Sequence, residues 1–119
     1  MMPLPQVGRR TAEGAGEAAF TLAPGPEHPA FQGHFPGDPL LPGVVQVDWA
    51  VRLGQEAFGP LGAFQSLDQV KFLRPARPGT ELELRLALDR APGRVRLRFQ
   101  YLDADGKVSS GAVLFQDPS

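Results

Sequence analysis

The sequence predicts an α+β domain in which a curled antiparallel sheet wraps around one long central helix. One apolar segment of helical length, 44–58, stands between Pro42-Gly43 and Gly59-Pro60. Four later segments alternate apolar and polar residues or end in turn residues, as strands do. A single strand-like segment, 17–22, comes before a proline-rich stretch.

At 119 residues the chain has the size of one domain, 1–119, with room for a single hydrophobic core. Hydrophobic residues at 42% and charged residues at 21% are the balance of a globular, water-compatible protein. A formal net charge of −1 offers no general attraction to phosphate backbones or anionic lipid, so no nucleic-acid partner is expected. No apolar run approaches the roughly 20 residues that cross a bilayer, and residues 1–5 lack the apolar stretch of a secretory leader. A cytoplasmic protein without membrane insertion is the expectation. With no cysteine, chemistry must come from histidine, carboxylates, hydroxyls or backbone dipoles.

Residues 1–16, rich in Gly, Ala and Pro, read as a loosely structured lead-in or a short strand. In 17–22, Phe20 and Leu22 share a face, and the strand ends at Ala23-Pro24-Gly25-Pro26. Prolines at 24, 26, 29, 36, 39 and 42 forbid regular helix or central strand, so this stretch is a long, stiff loop. The helix follows over 44–58. Val44, Val47, Val51 and Phe58 lie near one face, and Val45, Trp49 and Leu53 near its neighbour, which predicts burial on most sides. The valines favour a strand slightly, but length and the Gly59-Pro60 stop favour a helix.

The rest reads as a meander of strands over 64–73, 80–89, 94–102 and 107–115. Leu82, Leu84, Leu86 and Leu88 alternate with Glu81, Glu83, Arg85 and Ala87, and Val95, Leu97, Phe99 and Tyr101 alternate with Arg94, Arg96 and Arg98. Breaks at Arg77-Pro78-Gly79, Ala91-Pro92-Gly93 and 103–106 carry hairpin-turn residues. The arginine row is expected to pair with Glu81 and Glu83 on the wet face. A sheet covering one long helix leaves edges exposed, so pairing of two copies is physically reasonable. That arrangement of sheet and helix is the hot-dog fold.

The chemistry concentrates in 28–48. His34 sits in the proline-stiffened loop, directly before a helix N-terminus whose amides and dipole can polarise a carbonyl. Gly43 lets a ligand approach that backbone. Asp48, among Val44, Val45, Val47, Trp49 and Val51, is costly on an apolar helix unless paired, exposed or catalytic. A base and an acid so separated suit elimination of water beside a carbonyl. Arg52, at i+4 from Asp48, offers it a helical ion pair. His28 reads as a surface residue. Lys71, Arg74 and Arg77 form a basic group that could dock an acidic carrier, though such clusters are often only solvated. Asp103 and Asp105 read as turn residues, and no metal site is expected.

Phe31-Gln32-Gly33-His34-Phe35-Pro36-Gly37-Asp38-Pro39, Leu41-Pro42-Gly43-Val44-Val45, and Asp48 at the helical acid position resemble the bacterial 3-hydroxyacyl-acyl-carrier-protein dehydratases and their relatives in polyene-type pathways. Val70-Lys71-Phe72-Leu73-Arg74-Pro75 and the turn that follows resemble the same family, so the likeness covers 31 to about 84. Trp49 and Arg52 stand where many members carry a small residue and Gln, which implies an outlying branch such as one acting in aryl-polyene or other specialised lipid synthesis. The resemblance implies that His34 removes the α-proton of a 3-hydroxyacyl thioester while Asp48 protonates the departing hydroxyl. It further implies that the Gly43 amide meets the thioester carbonyl, with Phe35, Pro42, Val44 and Trp49 as substrate contacts. The substrate is then held on the phosphopantetheine of acyl carrier protein or coenzyme A, no metal or redox cofactor is needed, and a homodimer or dimer-based oligomer shares its sites between subunits. Two other readings stay open: a hot-dog acyl thioesterase using Asp48 to activate water, and a non-catalytic acyl-binding subunit in which Arg52 neutralises Asp48.

Overall fold

The two leucine- and valine-rich alternating segments become the middle of the sheet, because each has one face that only burial can satisfy. In the computed structural model, which describes residues 2–11, 16–32 and 39–117, these are β4 (Leu82–Ala91) and β5 (Arg94–Asp103). Before them come β1 (Gln6–Thr11), β2 (Glu17–Ala23), α1 (Gly43–Phe58) and β3 (Ala63–Phe72), and after them β6 (Gly106–Gln116). Pairing is antiparallel throughout, in the order β1-β2-β4-β5-β6-β3. The sheet stays open, with β1 and β3 as its edges, and α1 packs on its apolar face against β4 and β5. Gly59 ends the helix at φ 82° and ψ −169°, a conformation open essentially to glycine alone, and its N–H closes on the Gln55 carbonyl.

Four expectations change. The lead-in is more ordered than composition alone conveys, since Gln6–Thr11 pairs with β2 as an edge strand. The last four strands are not a simple meander: β3 pairs with β6, not with β4. The segment holding Arg77-Pro78-Gly79 is therefore a crossover from one sheet edge to the centre. Pro75 and Pro78 suit it, lacking the N–H a ladder needs. The helix buries Val45, Gln46, Trp49, Ala50, Leu53 and Gly54, whereas Val44 is 77% exposed. Finally, Arg96 pairs with Asp68 at 2.7 Å and Arg98 with Asp89 at 3.0 Å, while Glu83 pairs with Arg85 at 2.6 Å. The register accounts for Glu83, which faces Leu102 and not an arginine, whereas Asp89 faces Arg96 but bonds Arg98 diagonally.

Side-chain rows cross the sheet on the helix side. Phe20, Leu84, Tyr101, Ser109 and Phe72 are successive partners over β2, β4, β5, β6 and β3. Leu88, Leu97, Val113 and Leu67 form a second row, and Val95, Phe115 and Phe64 a third. The central members of all three rows, from Leu84, Leu97 and Val95 to Ser109, Val113 and Phe115, are buried. Each row ends on the open edge of β3 at an exposed apolar residue, namely Phe72, Leu67 or Phe64. Burying a large apolar side chain stabilises by about 1.5–3 kcal/mol, so three rows ending in water leave that stabilisation unrealised at the β3 edge of the single chain.

Candidate active site

The site is built where the proline-rich loop enters α1. Pro42 is the extended N-cap residue, and the first helical bonds run from the Val45 and Gln46 amides to its carbonyl, both 3.1 Å. The Gly43 and Val44 amides thus precede the helical ladder, as the first donors of any helix do. They border a cleft of about 560 Å³ whose walls include Leu41, Pro42, Gly43, Val44, Phe72 and Leu73. Phe72 lies so close to Gly43 that a Cβ there would meet its ring at 2.5 Å. A side chain at 43 would have to push the exposed Phe72 ring aside, and that ring forms one wall over the helix start.

Asp48 lies five residues beyond Gly43, about 7.5 Å along the axis and about 140° around it. It does not line the cleft. Its side chain is 42% exposed and sits 3.4 Å from an Arg52 guanidinium nitrogen, which also donates to the Met2 carbonyl at 2.6 Å. The i+4 pair forms as expected, but Arg52 makes its shorter bond to the main chain, so the carboxylate stays open to solvent. Trp49, expected to contact substrate, is fully buried with its ring edge-to-face on His28, centroids 5.2 Å apart. His28 is accordingly no surface residue. Its Nδ1 accepts from the Ala30 amide at 3.0 Å, capping a single 3-10 turn at Pro29–Phe31. His34 and Phe35 lie outside the described residues.

Sequence reasoning missed the polar group beneath α1. Gln46 is buried, its Nε2 donating to the Leu41 carbonyl at 3.2 Å and its Oε1 accepting from the Ser109 hydroxyl at 2.6 Å. The Tyr101 hydroxyl donates to the Gln46 carbonyl at 2.6 Å. Burial pushes the Tyr101 phenol well above its usual value, and the Asp48 charge acts in the same direction, so Tyr101 remains a neutral donor. The only sequence signal was a glutamine inside an apolar run.

A family model described as ApeI-like, ApeI dehydratase, matches residues 10–112. The chain belongs to the ApeI-like dehydratase family. It is a dehydratase, a hydro-lyase. The 3-hydroxyacyl-[acyl-carrier-protein] dehydratase FabZ of Oenococcus oeni is 37% identical over 93 residues, which cover 71% of this chain and 67% of that protein. The solved dehydratase heterocomplex ApeI:P from Xenorhabdus doucetiae aligns at TM-score 0.81 and 34% identity, over 94% of this chain and 98% of that one. Thioesterase superfamily member 2 from Mus musculus aligns at TM-score 0.70 and 11% identity over 91% of this chain and 87% of its own, a likeness of fold alone. The architecture is thus the hot-dog fold, and among the described residues no helix is long and apolar enough to cross a membrane.

Of the basic group in this ApeI-like dehydratase, Lys71 and Arg77 are exposed, and Arg74 bridges to the β5–β6 turn. It clasps Asp103 through two nitrogens at 2.5 and 3.1 Å and also donates to the Gly106 and Lys107 carbonyls. Asp103 is therefore a turn residue with a structural partner. The Arg74 bond holds its carboxyl below the usual carboxylate range, outweighing the opposing effect of burial. The stabilisation is complete above the unfolded aspartate pKa of about 3.9 and is lost as pH falls through the lower folded value. Asp103→Asn is expected to shrink the difference between urea midpoints at pH 7 and pH 3; an unchanged difference would show that the clasp contributes nothing to acid sensitivity. Among the described residues, no three of His, Asp and Glu gather as metal ligands. A basin of about 600 Å³, lined largely by the polar sheet face at Asp68, Lys71, Arg85, Arg96 and Arg98, lies away from the helix start, and its Arg96 and Arg98 are already ion-paired.

Proposed function

We propose that this chain converts a 3-hydroxyacyl thioester, carried on the phosphopantetheine of acyl carrier protein or coenzyme A, to the trans-2-enoyl thioester. His34 takes the proton from C2, the freed electron pair forms the C2–C3 double bond, and the C3 hydroxyl leaves as water with a proton from Asp48. The Gly43 amide meets the thioester oxygen as charge builds there. No electron is gained or lost, so no redox cofactor is needed. Pro42 and Val44 line the substrate's path, Phe35 is a further substrate contact by motif, and Lys71 and Arg77 meet the acidic carrier.

The observation that carries this reading is the cleft at the start of α1, with leading amides on one wall and apolar side chains on the other. It suits a thioester carbonyl followed by an acyl chain. Since Asp48 is turned away from that cleft, the acid serving it comes from a second copy, and the reading is a cytoplasmic homodimer with shared sites. The exposed row ends at Phe64, Leu67 and Phe72 along the β3 edge support it. Incubating the protein with a 3-hydroxyacyl thioester, while following enoyl absorbance and free thiol together, is expected to give enoyl product. Thiol release instead means a thioesterase, and neither signal means a binding subunit.

A further inference from the structure

Gln46 is 3% exposed on the inner face of α1, where an apolar side chain would avoid the cost of burying an amide. Its two side-chain bonds reach different elements: Nε2 returns five residues to the Leu41 carbonyl, and Oε1 meets Ser109 on β6. The Leu41 N–H is held from the other side by the Ala76 carbonyl at 2.8 Å. The peptide groups on both sides of Leu41 are therefore fixed immediately before Pro42-Gly43. The helix itself is anchored independently, because the Tyr101 hydroxyl bonds the Gln46 main-chain carbonyl, and that bond does not depend on the side chain at 46.

We infer that Gln46, braced by Ser109, is a positioning residue that aims the Gly43 amide into the cleft by locking Leu41. The inference rests on the dehydratase reading for the amide's chemical role, but its structural half does not. Tyr101, Ser109 and Phe72 are consecutive members of one cross-strand row. The sheet thus touches the first turn of α1 at three adjacent points: Tyr101 at the Gln46 carbonyl, Ser109 at the Gln46 side chain, and Phe72 at Gly43. A side chain used only to seat the helix has no need to bond backward to the entering loop. Misplacing a reacting group by about 1 Å costs on the order of 10²-fold in rate, so losing the lock acts on turnover more than on binding.

Two variants test this. Gln46→Met keeps length and removes both side-chain bonds; kcat is expected to fall about 10- to 100-fold with KM within about threefold. The Leu41 amide should exchange hydrogen at least about tenfold faster, while amides between β4 and β5 keep wild-type rates. In Gln46→Glu the buried carboxyl is raised in pKa, and its protonated form can donate to Leu41 again. The ratio of its kcat to wild type should therefore climb as pH is lowered. Unchanged Leu41 exchange in Gln46→Met, a flat pH ratio in Gln46→Glu, or an activity loss matched by faster exchange throughout β4 and β5 overturns the inference. If the wild type forms no enoyl product, the dehydratase reading fails, and Leu41 exchange still decides whether Gln46 locks the loop.

Discussion

Asp48→Asn is expected to lower enoyl formation by about 10²- to 10⁴-fold, the usual worth of a positioned general acid, while the thermal midpoint moves by about 2 °C or less. The two effects separate because the side chain is half-exposed and its one described ionic partner, Arg52, is 3.4 Å away and bonded more closely to Met2. An exposed i, i+4 pair contributes only about 0.3–0.5 kcal/mol, so removing it leaves folding nearly untouched. Asparagine keeps the shape but cannot supply the proton. His34→Ala should lose activity to a similar degree. Turnover of Asp48→Asn within about threefold of wild type would remove Asp48 from the chemistry and leave its pairing with Arg52 a purely structural one.

If two copies pair through the open β3 edge, as proposed, Leu67→Arg should leave a monomer and abolish most of the activity. Leu67 ends the row of Leu88, Leu97 and Val113 at the open β3 edge and is 49% exposed in the single chain, so a charge there is tolerated by the fold but not by a second copy. If the acid at each site comes from the partner, activity must follow the dimer fraction and recover as protein concentration is raised. Light scattering and turnover measured at matched concentrations check this. Mixing His34→Ala with Asp48→Asn chains should restore activity that neither shows alone, because a mixed dimer holds one site with both groups intact. A monomeric Leu67→Arg protein working at the wild-type rate, or no complementation between the two site variants, would refute the shared site.

Local pattern carried far in this protein. Alternation in 82–88 and 95–101 revealed strands because period-two spacing is a backbone property, visible without knowing the partner. Prolines from 24 to 42 marked the loop for the same reason, since each fixes its own φ wherever it lies. The Asp48–Arg52 pair was legible because a helix brings i and i+4 together by its own geometry.

Contacts between distant segments were another matter. That β3 leaves its neighbour in sequence to pair with β6 depends on which ladder the whole sheet completes, and no local spacing encodes it. The valines of α1 looked equally apolar on two faces; only packing against β4 and β5 chose Val45, Trp49 and Leu53 for the core and left Val44 outside. His28 and Trp49 meet because a loop folds back on the helix. Gln46 gains its partners from Ser109, 63 residues away, and Tyr101, 55 residues away. By itself, the sequence determined α1, most of the strands and the Asp48–Arg52 pair on the helix, because these follow from local covalent geometry. Tertiary structure alone decided the strand order, the inner face of α1, the separation of Asp48 from the Gly43 cleft and the support beneath Gly43, because burial and hydrogen-bond satisfaction are settled only when remote segments compete for the same space.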